Sequence, residues 1–139
     1  TNAISDDAYT EMFVTYYDIF VRHAFGNYRD VLKEVSYSPM MAEMLTYLES
    51  KSTSYVFHLS NGATLQFPDE NFAREIMQLF TIGLYKLNQD GTPILTPKGE
   101  SIRTYTNKDI EETSRIWTGF KRHASRGNIE RSSNRVDPM

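Results

Sequence analysis

The sequence predicts a mainly α-helical fold. About five helices pack as an irregular bundle, with a small β-hairpin insertion near residues 54–67 and a turn-rich loop over 88–104. Three observations carry this reading. Apolar residues recur at helical spacing in five stretches, most of them bounded by a capping residue or a glycine. One stretch drops that period for β-prone runs on either side of Ser60-Asn61-Gly62-Ala63. A third region is dense in Gly, Pro, Asn and Asp, the residues of turns.

The first helix is expected over Ala8–Ala24. Ser5, Asp6 and Asp7 offer N-cap oxygens and negative charge to its positive end. Tyr9, Met12, Phe13, Tyr16, Tyr17, Phe20, Val21 and Ala24 form a wide aromatic stripe, and Gly26 ends the helix. A second helix is expected over Tyr28–Val35 behind Asn27. A third is expected from Pro39 to Leu48, because proline at the first helical position loses no needed hydrogen bond. Its Met40, Met41 and Met44 fit ordinary core packing better than an adaptable binding surface. Tyr55–Leu59 and Thr64–Phe67 are the expected hairpin strands. A fourth helix is expected behind Asp69, ending at Gly83, with Phe72, Ile76, Leu79, Phe80 and Leu84 toward the core. The last is expected over Asn107–Thr118, with Thr106 and Asp109 spaced as in a capping box. Residues 1–120 then form a helical domain fragment and 121–139 a basic irregular tail or linker.

Composition narrows the classes. The chain has 139 residues with 40% hydrophobic, 13% aromatic and 24% charged residues, enough for one soluble folded domain. There is no cysteine, which removes disulfides, thiolate nucleophiles and Cys-ligated zinc. No apolar run approaches the roughly 20 residues of a membrane helix, and no signal peptide is visible behind Thr1. The simplest expectation is an internal piece of a longer chain. Lys121, Arg122, Arg126, Arg131 and Arg135 against Glu130 and Asp137 give residues 121–139 a charge of +3. The first 120 residues then carry −6 of the overall −3. A tail folded back on its own acidic body accounts for this more simply than nucleic-acid binding.

The run Pro68 to Gly83 holds the most ordered pattern. Asn71, Arg74, Glu75 and Gln78 stand at i, i+3, i+4 and i+7 and form one polar stripe. The run Asp69-Glu70-Asn71-Phe72-Ala73-Arg74-Glu75 resembles the signature of domain-of-unknown-function family 1800. So do Ala24-Phe25-Gly26-Asn27-Tyr28-Arg29, Ser38-Pro39-Met40-Met41, and Tyr105-Thr106 with Trp117-Thr118-Gly119. The blocks keep their order from about Tyr16 to Phe120. The resemblance implies a longer, largely helical and exported or cell-surface protein with no settled activity. It also implies an alkaline phosphatase- or sulfatase-like neighbour as a partner, beside the remainder of the chain itself. Gln78 departs from the family pattern, standing where a carboxylate is usual.

Two functional readings follow. In the first, the stripe Asn71, Arg74, Glu75 and Gln78 knits helices together, with Glu75 capping a neighbouring helix or meeting an arginine such as Arg29. Glu75→Gln is then expected to lower stability, and the chain is a non-catalytic structural or interaction segment. In the second, Glu75 is a base and Arg74 an anion holder in a hydrolase-like or ligand-binding enzyme. The sequence favours the first. No cofactor motif occurs, and His23, His58 and His123 stand in no zinc-binding pair. Asn88-Gln89-Asp90-Gly91 opens like a calcium loop but lacks the closing glutamate.

Overall fold

Short polar side chains set where several of the helices begin. The computed structural model describes residues 4–59, 62–65, 67–127 and 134–139. Among them are five α-helices: α1 (Ile4–Arg22), α2 (Tyr28–Ser36), α3 (Pro39–Met44), α4 (Asn71–Gln78) and α5 (Asn107–Ser114). Strands β1 (Val56–Leu59) and β2 (Gly62–Leu65) precede α4, and a 3₁₀ turn at Arg115–Trp117 continues α5. The fold is mainly α. The chain divides into two compact units, Thr1–Glu49 with Gly119–Met139, and Ser50–Thr118.

In the first unit α1 packs on α2 and α3, and α2 on α3. Asn27 caps α2, its side-chain oxygen accepting from the Arg29 N–H at 2.8 Å. Helix α3 stops at Met44, short of the expected Leu48. Thr46 (φ 63°) and Glu49 (φ 61°) take left-handed backbone, which cannot continue a right-handed helix. Tyr47, between them, is fully buried, and its hydroxyl donates to the Ser36 carbonyl at 2.7 Å. Met12, Ile19, Val35, Met41 and Ala42 make up the core. The aromatic stripe of α1 is wider than the surface its neighbours cover. Tyr9, Phe13, Tyr17, Phe20 and Val21 all remain exposed.

In the second unit β1 and β2 pair antiparallel, Val56 opposite Leu65 and Leu59 opposite Gly62. Ser60 and Asn61 of the expected Asn-Gly turn lie outside the described residues. Helix α4 packs on α5. It is shorter than the sequence suggests, for two reasons. Asp69 Oδ1 accepts from the Asn71 N–H at 2.9 Å, so the helix proper begins at Asn71. The chain then turns back, with Gly83 N–H donating to Met77 O at 2.9 Å and Gly83 at φ +71°. Leu79 closes the helix, its N–H still donating to the Glu75 carbonyl at 2.9 Å, yet its side chain is 68% exposed, against the expected core position. Residues 85–103 fold through isolated bridges, Tyr85 with Arg103, Leu87 with Pro93 and Leu95 with Ser101. Ala73, Tyr105 and Ile110 form the core, with Met77 and Leu84 packed on it. Phe72 meets Trp117 edge-on at 4.7 Å between ring centroids.

Candidate functional site

The polar stripe falls on α4, and its four side chains have different fates. Arg74 is exposed and turns to Glu70 on its own helix, Nη2 to Oε2 3.3 Å, an ordinary i, i+4 pair. Asn71 and Gln78 are half-buried. Glu75 is half-buried too, and its Oε2 is shielded from water with no hydrogen-bond partner. The expected cap or arginine contact for Glu75 is absent among the described residues. A carboxylate oxygen left without donors is costly to shield. The contact through which Glu75→Gln is expected to lower stability is not seen among the described residues.

The stripe thus lacks a coupled acid and base. A cleft of about 290 Å³ in the same unit is lined by Thr53, Phe67, Pro68, Glu70, Glu111 and Ser114, without Arg74 or Glu75. The Asp90 loop is occupied internally. Asp90 Oδ1 accepts from Thr92 N at 3.0 Å and from its hydroxyl at 2.7 Å, and these bonds hold its carboxyl below the usual range.

Several other charged residues settle into pairs within the first unit. His23 Nε2 lies 2.7 Å from Glu34 Oε1, and Arg22 takes the other oxygen. Arg126 clasps Glu11 with two nitrogens at 3.0 and 2.8 Å. Arg122 and Arg135 converge on Glu43, Arg135 at 3.3 Å. The basic tail therefore folds onto the acidic body, as its charge balance suggests. His123 is exposed. The side chain of His58, on β1, lies outside the described residues. Among the described residues no three His, Cys, Asp or Glu side chains group as a metal site, and no helix is long and apolar enough to cross a membrane.

The family model described as "Protein of unknown function (DUF1800)" matches residues 2–139, nearly the whole chain. The chain belongs to the DUF1800 family. The signature run of this DUF1800 chain is thus the turn at Asp69 and the helix α4. No match to it was found among curated proteins or among solved structures.

Sequence reasoning missed a second concavity. A cleft of about 380 Å³ opens in the first unit between α1, α2 and residues 135–138. Its walls come from segments more than 100 residues apart in sequence, so no local motif announces it. The one available signal is the opposite charge of the tail and the body.

Proposed function

We propose that this DUF1800 chain is a non-catalytic structural or interaction segment of a larger helical protein, with the two-stranded excursion as a small hairpin insertion. The observation that carries this is the outer face of α1. Phe13, Val14, Tyr17, Phe20 and Val21 share one side of the helix and are 41–67% exposed. Met12 and Ile19 on the other side are already buried. A helix that is apolar on both sides is built to be covered twice. Further helices of the same longer chain are the covering we propose, in an exported or cell-surface protein. An alkaline phosphatase- or sulfatase-like protein is a candidate external partner.

The test is association in the parent protein. Tyr17→Ser with Phe20→Ser should release this segment from the remainder of its chain, read as new proteolytic sensitivity, while the isolated segment keeps its melting temperature. Unchanged protection in the parent would sink the proposal. The second reading, a ligand-binding or hydrolase-like site around Arg74 and Glu75, is favoured by one observation, the unpartnered Glu75 Oε2. Loss of a measurable activity in Glu75→Gln at unchanged melting temperature would support that reading instead.

A further inference from the structure

The 380 Å³ cleft of the first unit lies on the inner side of α1, away from the face assigned above to a helical partner. Its volume falls within the range of small-molecule sites, about 300–1,000 Å³. Met12, Tyr16, Ile19, Tyr37, Val136 and Pro138 give it an apolar lining. The wall at 135–138 is a local turn built on buried Asn134, whose side-chain oxygen accepts from the Val136 and Asp137 N–H groups at 2.9 and 3.0 Å. It is tied to the helices where the Met139 N–H donates to the Tyr37 carbonyl at 2.9 Å and where Arg135 meets Glu43 at 3.3 Å.

The polar groups around it are unequal. The cations on the lining are Arg22, Lys33 and Arg135, and the anions are Glu34 and Asp137. Arg22 is answered by Glu34, and Arg135 by Glu43. Asp137 takes the Asn134 side-chain amide and lies within electrostatic reach of Glu11. Lys33 has no ion-pair partner among the described residues. Ser38 starts α3 without a side-chain cap bond, and Thr15 makes no side-chain hydrogen bond to a described residue, so two hydroxyls face a mainly apolar space uncommitted.

We propose that this cleft binds a small molecule with an apolar, ring-sized body and a single carboxylate. The body fills the space between Met12, Ile19 and Tyr37. The carboxylate lies toward Lys33, and the Thr15 and Ser38 hydroxyls serve its polar substituents. An apolar cleft with a few placed polar groups and one spare cation is complementary to that class.

The experiment uses the 139-residue chain and titration calorimetry with naphthalene-1-acetate and its neutral amide, at low and high salt. The acid should bind once per chain, about fivefold tighter than the amide at low salt, with the gap closing as salt screens it. Lys33→Gln should remove the difference and leave the amide unaffected. Thr15→Trp should abolish both by filling the cleft. Val136→Trp, on the opposite wall, does the same if Thr15→Trp fails to fold. Equal binding of acid and amide overturns the proposal, as does no saturable binding of either. So does loss of binding in Tyr17→Ser with retention in the cleft-filling variants, which would place the probe on the outer face of α1.

Discussion

His23 and Arg22 divide the Glu34 carboxylate between them, His23 Nε2 lying 2.7 Å from one oxygen and Arg22 facing the other. This contact ties the C-terminal end of α1 to α2. The hydrogen bond from His23, then that from Arg22, holds the Glu34 carboxyl below its usual range. A carboxyl lowered in the folded state contributes stability above its unfolded value, and that contribution is lost as pH falls through the folded value. Glu34 and Arg22 are more than a third exposed, so solvent screening limits the contribution to about 1 kcal/mol or less. Glu34→Gln should melt slightly earlier than the parent at neutral pH and converge with it as pH falls from the ordinary glutamate value, about 4.3, through the lowered folded value. Melting curves across that window decide it, since a constant gap would mean that the carboxylate charge is not the cause.

Tyr47 should resist ionisation until the protein unfolds. Burial pushes its phenol well above the ordinary tyrosine range. A raised folded value gives stability that is complete below the unfolded value, about 10, and that is lost as pH rises. Tyr47→Phe removes the bond to the Ser36 carbonyl and should cost about 1–2 kcal/mol. It should also remove this alkaline sensitivity. Ultraviolet titration of the phenols, with and without the substitution, would reveal an early-titrating Tyr47 if the burial argument is wrong.

Thr106→Ala should loosen α5. The Thr106 hydroxyl and backbone N–H both face Asp109, and the Asp109 N–H returns to Thr106, a reciprocal cap. Loss of such a cap costs about 1 kcal/mol. Because Ile110 and Ser114 of α5 are buried, the loss should appear as lower global stability in denaturant, with faster amide exchange at Lys108 and Asp109. A normal exchange pattern would mean that tertiary packing alone holds the helix start.

Two of the four residues of the α4 stripe, Arg74 and Glu75, should respond differently. Arg74→Ala breaks only an exposed i, i+4 pair worth about 0.3–0.5 kcal/mol, a shift of a degree or two. Glu75→Gln gives up no contact seen among the described residues and should hold the melting temperature. A marked loss of stability in Glu75→Gln would show that the carboxylate has a partner in solution after all.

These contrasts separate what the sequence could state from what it could not. Helix starts at Asn27 and Thr106 were legible because a cap is a contact between residues two or three apart, and the start of α3 because Pro39 suits the first helical position. The end of α3 was not, since Met44 to Leu48 keeps a helical pattern while Tyr47 is drawn into the core by a bond to Ser36. Leu79 was misplaced because helical spacing assigns a residue to a face without saying whether anything covers it, and Leu79 is left exposed. The spacing of Asn71, Arg74, Glu75 and Gln78 fixed their shared side but not their partners. The 380 Å³ cleft depends on Val136 and Met12 lining one space, a juxtaposition with no local trace in the chain.

Glu43 should be the residue that holds the basic tail. Its carboxylate receives Arg122 and Arg135, all three side chains being only 23–29% exposed. Replacing it leaves two guanidinium groups facing each other without their anion, which is worse than losing a single surface pair. Glu43→Ala should therefore cost about 1–3 kcal/mol, less than a fully buried pair because water still reaches the groups. Arg135 also stacks on Tyr9 at 5.2 Å, so that contact remains as a second tether. The expected phenotype is a tail that opens before the rest of the unit melts, with trypsin cutting at Lys121, Arg122 and Arg126 well below the melting temperature. Arg122→Ala should soften this effect in the double variant by removing half of the repulsion. Equal protease resistance in Glu43→Ala and the parent would mean that Tyr9 and the Arg126–Glu11 clasp suffice, and that the shared carboxylate contributes nothing measurable.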